Sequence, residues 1–241
     1  MKKKTLGILG GMGPAATVHF YNLITSHTHA GTDADHLNII LTSSADIPDR
    51  TDFILGVSDR DPFPYMLTDA LKLEAAGANV IAIPCNTAQY FRDRLAGDVH
   101  IPILDIVRET SQHAAKRGFH RAALLATEGT VKIGSYASAL SDFGVECITP
   151  DEKTQALVTS VIYDYVKAGK PGGEMVFAEV SERMFDRGCD CLILGCTELP
   201  LVSPPAGNII DSLEVLAYRS IDCCGGSPKG FSTAFLSAYE K

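Results

Sequence analysis

Apolar residues along the chain fall into short runs separated by longer amphipathic stretches, and the two patterns predict two kinds of element. Strands are predicted over Thr5–Leu9, Leu37–Thr42, Val80–Ile83, Ile101–Leu104, Ala122–Ala126, Val145–Ile148, Cys191–Leu194 and Asn208–Ile210. Most of these runs carry Ile, Leu and Val at successive positions, as strands do when both faces of a parallel sheet are covered. The stretches between them carry helical spacing. In Tyr65–Ala76, Leu67, Leu71 and Leu73 share a broad apolar face with Ala70 and Ala75, and Val158–Val166 and Met175–Phe185 read the same way. Gly77, Gly118 and Gly188 follow such stretches as helix stops, and Pro171-Gly172-Gly173 reads as a plain loop between helices. Strands alternating with helices place the chain in the α/β class.

The chain also repeats itself. Ala76-Gly77-Ala78-Asn79-Val80-Ile81-Ala82-Ile83-Pro84-Cys85-Asn86-Thr87 runs parallel to Arg187-Gly188-Cys189-Asp190-Cys191-Leu192-Ile193-Leu194-Gly195-Cys196-Thr197-Glu198. Each segment is a helix stop, an apolar strand, then a Cys followed within two residues by Thr. Leu6–Leu9 before Gly10-Gly11-Met12-Gly13 parallels Ala122–Leu125 before Ala126-Thr127-Glu128-Gly129, and Ile103-Leu104-Asp105 echoes Ile209-Ile210-Asp211. The repeat predicts two similar, open, mainly parallel α/β domains related by pseudo-symmetry. Residues 1–104 with 212–241 would form the Cys85 side, and residues 105–211 the Cys196 side.

Composition narrows the partners. Lys and Arg total 21 against 29 Asp and Glu, a formal charge of −8, which argues against nucleic acid or an anionic membrane as partner. A small anion, held by one or two local cations, remains open. No apolar run reaches membrane-spanning length, and Met1-Lys2-Lys3-Lys4-Thr5-Leu6-Gly7 is too short in its apolar part for a signal peptide, so the expected compartment is the cytosol. Seven Cys is an odd number in a chain of this length and does not suggest a disulfide framework.

Cys85 and Cys196 are the first candidates for chemistry. Each sits just past the carboxyl end of a strand, where open α/β sheets bind ligands, and each is expected to open a helix whose positive end lowers the thiol pKa. Asn86, Thr87 and Thr197 add amide and hydroxyl groups able to hold a carboxylate. Two thiols facing each other across a cleft suit racemisation, which needs a base on one face of a carbon and an acid on the other, with the roles exchanged after inversion.

Gly10-Gly11-Met12-Gly13-Pro14-Ala15-Ala16-Thr17, Pro84-Cys85-Asn86-Thr87-Ala88 and Gly195-Cys196-Thr197-Glu198-Leu199 together resemble the three signature segments of the aspartate/glutamate racemase family, closest to its cofactor-independent aspartate racemases. The resemblance runs nearly the full length. It implies two α/β domains, an interdomain active site, proton exchange at Cα without pyridoxal phosphate or any other cofactor, an amino-acid substrate and a homodimer. Its catalytic cysteines match Cys85 and Cys196, its carboxylate-binding Arg matches Arg50, and its second substrate-binding cation matches Lys167. Thr127 would contact the substrate by analogy with the Gly-rich loop of the other half, where Met12 and Gly13 line the pocket, and Glu198 would take the substrate ammonium. The chain departs from the pattern at Gln89, where His is frequent, and at Glu198, where glutamate racemases carry His.

Rival readings stay open at this stage. Gly11-Met12-Gly13-Pro14-Ala15-Ala16 loosely fits a dinucleotide fingerprint, but Pro14 removes an amide from the turn, and the acid expected about 20 residues on comes late, at Asp46. Cys189, Cys191, Cys223 and Cys224 lack the spacing of zinc ligands, Cys147 reads as core, and the seven His do not cluster, so no metal site is expected. Glutamate, a basic amino acid or a broader set of amino acids could replace aspartate. Amino-acid binding without turnover, motivated by Gln89, and dithiol redox chemistry are the alternatives from other classes.

Overall fold

The computed structural model describes residues 3–202 and 207–239; Met1 and Lys2, part of the amino-terminal stretch read above, lie outside them. The first half runs β1 (Leu6–Gly10), α1 (Pro14–His27), β2 (Ile39–Ser43), α2 (Arg50–Leu55), α3 (Phe63–Ala75), β3 (Val80–Ala82) and α4 (Arg92–Asp98). The second runs α5 (Ile106–Lys116), β4 (Arg121–Leu125), α6 (Glu128–Ile133), α7 (Ser135–Asp142), β5 (Glu146–Ile148), α8 (Glu152–Ser160), α9 (Gly173–Asp186), β6 (Cys191–Leu194) and β7 (Ile209–Asp211). Helices α10 (Ser212–Cys223) and α11 (Thr233–Leu236) follow. All strand pairs are parallel, in two sheets of order β2-β1-β3 and β5-β4-β6-β7. Among the described residues no helix is long and apolar enough to cross a membrane.

The two sheets are copies with one strand worn down. Ile103 stands beside β3 where β7 stands beside β6, but it makes only a parallel bridge to Ile81. Pro102 has no N–H to give a ladder, so the predicted strand Ile101–Leu104 is reduced to that bridge. The echo after it is kept: Asp105 caps α5 through the Arg108 N–H at 3.0 Å, and Asp211 caps α10 through the Leu213 N–H at 2.7 Å. Gly77, Gly118 and Gly188 have φ of 97°, 78° and 77°, the left-handed conformation that ends helices and favours glycine.

Alternation along the strands sorts side chains into three cores. Leu6 and Ile8 of β1, Ala122 and Leu124 of β4, and Cys191 and Ile193 of β6 point into one apolar layer shared by both sheets and filled by α1, α5 and α10. On the outer faces, Leu9 and Ile81 meet α3, while Ala123, Leu125, Leu192 and Leu194 meet α8 and α9. Cys191 and Cys224 lie in the shared layer and Cys189 in the outer layer of the second sheet, all as free thiols.

The helix predicted over Val158–Val166 changes pitch. Helix α8 stops at Ser160 and the chain continues as a π turn, Val161–Lys167. Such widened turns re-aim side chains and recur at functional sites.

One buried polar chain ties the halves together. Tyr136, fully buried on α7, donates its hydroxyl to Asn86 Oδ1 at 2.7 Å; Asn86 Nδ2 donates to Ser212 Oγ at 3.0 Å; Ser212 donates to the Leu194 carbonyl at 2.6 Å. Tyr136→Phe leaves the Asn86 oxygen without its donor in a dry site. It is expected to cost about 1–3 kcal/mol, read as a lower urea midpoint at unchanged m-value.

Candidate active site

Each half delivers a cysteine from the carboxyl end of a parallel strand. Cys85 follows β3 after Ile83 and Pro84, and Cys196 follows β6 after Gly195. Around them the chain turns tightly. At Gly10 a Cβ would collide with the Thr17 side chain and lie 2.8 Å from the Thr42 carbonyl oxygen, so only glycine fits. The Thr17 hydroxyl takes the Gly11 N–H at 2.9 Å, and the following Met12 carbonyl accepts from Arg50 Nη2 at 3.3 Å.

Arg50 opens α2, which Asp49 caps by accepting the Thr51 and Asp52 N–H groups at 2.7 and 3.1 Å. The guanidinium is 7% exposed and spends its Nη donors on the carbonyls of Pro48 (2.9 Å), Ile47 and Met12 (both 3.3 Å). Its Nε has no acceptor, and among the described residues Arg50 pairs with no carboxylate. A buried cation without an anion is an electrostatic debt that a bound carboxylate would cancel.

Met12, Arg50, Cys85, Asn86, Thr87, Thr127, Lys167, Cys196, Thr197 and Glu198 line one enclosed cavity of about 10 Å³, with Asp49, Thr51 and Tyr163. Of the residues singled out in the sequence, Gly13 alone lies elsewhere. It lines an adjoining cavity of about 350 Å³ that shares Asp49, Arg50, Lys167 and Glu198 with the inner one. Asp49, Thr51 and Tyr163 were not singled out from the sequence. Tyr163 stands four residues before Lys167, a helical spacing that carries the signal, and Lys167 Nζ sits 4.3 Å above its ring. Gln89 lines a different cavity, with Arg92, Asp105 and Arg108, so the departure there does not touch the thiols.

The expected carboxylate-holding groups are engaged with protein. Thr87 shares its hydroxyl with Thr127 and Thr130, each at 2.9 Å, and Thr197 donates to the Pro84 carbonyl at 3.2 Å. Both contacts cross from one half to the other. Asn86 is held by Tyr136 and Ser212, which leaves one of its amide hydrogens uncommitted.

The expected lowering of the thiol pKa values does not occur. Burial pushes Cys85 up, against the pull of Arg50, and Glu198 adds to the rise. Burial also holds Cys196 well above the ordinary thiol value, and the Glu198 carboxylate raises it further. The turn N–H groups of Ala88 and Glu198 do pull Cys85 and Cys196 down, as expected at the start of a helical turn, but burial outweighs them. The Cys196 thiol donates to Glu198 Oε2 at 3.0 Å. For Lys167, burial works against the ammonium, but Glu198, Tyr163, Cys196 and Asp49 hold its pKa above the usual lysine value.

The Asp/Glu/Hydantoin racemase family profile matches residues 9–219. The solved aspartate racemase of Picrophilus torridus superposes with a TM-score of 0.80 at 32% identity, over 94% of this chain and 96% of that one. An aspartate racemase homologue from Pyrococcus horikoshii OT3 superposes at 0.72 with 25% identity, over 93% of this chain and 100% of that one. The broad specificity amino-acid racemase RacX of Bacillus subtilis (strain 168) is 29% identical over 231 residues, 90% of this chain and 96% of that protein.

The cleft walls meet at Gly129 on α6, where a Cβ would lie 3.0 Å from the Thr51 Cα and 3.2 Å from its Cβ on α2. In an open helix, Gly→Ala stabilises by about 1 kcal/mol. Gly129→Ala is expected to reverse that sign, costing about 1–3 kcal/mol by pushing α6 off α2, measured by thermal melting.

Proposed function

The chain belongs to the Asp/Glu/Hydantoin racemase family, and on that premise we propose that it interconverts L- and D-aspartate by direct proton exchange at Cα between Cys85 and Cys196. One observation carries this reading: thiols from equivalent places in the two halves line the same cavity as a buried guanidinium that has no carboxylate partner. In the forward step a thiolate on one side takes the Cα proton, and the electron pair of the broken C–H bond spreads into the α-carboxylate. The thiol on the other side gives its proton to the opposite face of the carbon and becomes the thiolate. The reverse reaction starts from that state with the roles exchanged. Nothing is oxidised or reduced.

Arg50 suits the second carboxylate of aspartate, and Lys167 adds a second cation on the same wall. The hydrogen bond from Cys196 to Glu198 favours Cys196 as the resting acid, while Cys85, nearest to Arg50 in its electrostatics, is the better first base. Racemisation of glutamate or of a wider set of amino acids is a second reading, favoured by the room in the adjoining cavity of about 350 Å³. A homodimer belongs to the same proposal, and Val18 and Tyr21 on α1 and Leu41 on the edge strand β2 offer exposed apolar surface for it.

Incubation of the protein with L-aspartate in D₂O, without added cofactor, is expected to give α-deuterated D- and L-aspartate. Cys85→Ala and Cys196→Ala should each lower racemisation by about 10²–10⁴-fold. Normal rates in both variants would refute the paired-thiol mechanism. Glu198→Gln removes a negative charge that raises both thiols, Cys196 most. Activity needs one thiolate and one thiol, so both limbs of the bell-shaped pH profile should move to lower pH. The falling limb, set by loss of the Cys196 proton, should move further.

A further inference from the structure

We propose that Tyr136 is a positioning residue: with Ser212 it holds the Asn86 side-chain amide turned so that a free N–H, not a carbonyl lone pair, meets the substrate carboxylate. The proposal rests on the racemase reading. Tyr136 does not line the cavity that holds the thiols; it acts through Asn86, which does.

An asparagine amide is nearly symmetric in shape, and turning it by half a revolution exchanges a donor for an acceptor. Its neighbours decide which way it lies. Asn86 is 2% exposed, so bulk water does not decide it. On one side stands Ser212, whose single hydroxyl hydrogen is spent on the Leu194 carbonyl at 2.6 Å. Its oxygen, 3.0 Å from the amide, can then only accept, so the amide nitrogen must face it. On the other side stands Tyr136, fully buried, with its hydroxyl 2.7 Å from the amide oxygen. Burial pushes the phenol pKa up, so the hydroxyl keeps its proton and donates. In the reversed amide, Ser212 would meet Oδ1 oxygen to oxygen, and the Tyr136 proton would point at an NH₂ group. Both are buried mismatches.

The consequence falls on the cavity. One amide hydrogen of Asn86 goes to Ser212, and the other has no partner among the described residues. Arg50 lines the same cavity, and the free N–H adds a neutral donor to that cation for a carboxylate. The reversed amide would put an oxygen lone pair in its place and repel the anion. The lock also spans both halves. Asn86 follows Cys85, Tyr136 lies on α7, Ser212 opens α10, and Leu194 ends β6 two residues before Cys196. The donor offered to the substrate is thus set by the bonds that tie the two cysteine-bearing turns together.

The test compares the full-length protein with Tyr136→Phe, Asn86→Ala and the double variant. It reads KM from α-deuterium exchange and Kd from calorimetric titration, with L-aspartate, or with L-glutamate should that be the amino acid exchanged. Tyr136→Phe is expected to raise both constants at least about fivefold. In the Asn86→Ala background the same change should move them by less than about twofold, because its effect passes through the amide. A purely structural Tyr136 would lower kcat through loss of folded protein and leave KM and Kd unchanged. That result, or an equal rise in both backgrounds, overturns the proposal and leaves the racemase reading standing. Should Tyr136→Phe fail to fold, Ser212→Ala removes the acceptor at the other end of the amide. It is expected to give the same rise, and to lose its effect in the Asn86→Ala background. A wild type that binds either amino acid but exchanges no α-proton removes the racemase reading, and the Kd comparison then decides the proposal. A wild type that neither binds nor exchanges them removes both.

Discussion

The Thr87 hydroxyl, 2.9 Å from Thr127 and 2.9 Å from Thr130, crosses the cleft where no apolar contact can. A site for a charged substrate must be lined with polar groups, and polar walls do not close by hydrophobic contact. Here they close by hydroxyls that satisfy one another, with Thr127 and Thr130 themselves 3.1 Å apart. The contact from Thr197 to the Pro84 carbonyl does the same on the other side. These bonds involve the residues immediately around Cys85 and Cys196, so they set how far apart the two thiol-bearing turns stand. Everything the cavity can do depends on that spacing. Its volume of about 10 Å³ holds about one water and is smaller than any amino acid.

Duplication explains why a cysteine stands at each strand end, and the break in duplication explains how the two can differ. Two residues after Cys85 comes Thr87, absorbed in the cross-cleft cluster; two residues after Cys196 comes Glu198, which accepts a hydrogen bond from the Cys196 thiol. Identical surroundings would give two thiols of equal acidity, and a two-base exchange works best when one is ionised and the other is not. The change from Thr87 to Glu198 at one repeat position, with Arg50 acting on Cys85, contributes to that inequality.

Much of this was legible in the chain because it follows from local pattern. The apolar runs gave strands at nearly their observed bounds, and Cys191–Leu194 matches β6 residue for residue. The glycines after the helices do occupy the left-handed conformation. Cys85, Cys196 and the residues beside them share one cavity, as their repeat positions imply. What was not legible depends on three-dimensional context. The π turn at Val161–Lys167 has the same apolar periodicity as an ordinary helix, so the pattern alone does not place Tyr163 beneath Lys167. The acidity of the thiols goes the other way because it depends on how deep the sulfur lies and on which charges stand beside it. Burial depth is not written in a Cys-Asn-Thr or Cys-Thr-Glu motif.

Deep burial of the proposed acid–base pair looks like an obstacle to proton abstraction, since both thiols are held above their ordinary pKa. The same burial makes each nearby charge count for more, because fields are screened less away from water. Arg50 and Lys167 both favour a thiolate at Cys85, and Glu198 opposes it there as it does at Cys196. A carboxylate arriving beside Arg50 would quench part of the help that cation gives to the thiolate. A second cation would matter for this reason: with Arg50 and Lys167 both facing one substrate carboxylate, positive charge would remain to hold the thiolate. An isolated Arg50 could serve the substrate or the base. With Lys167 on the same wall, it would serve both.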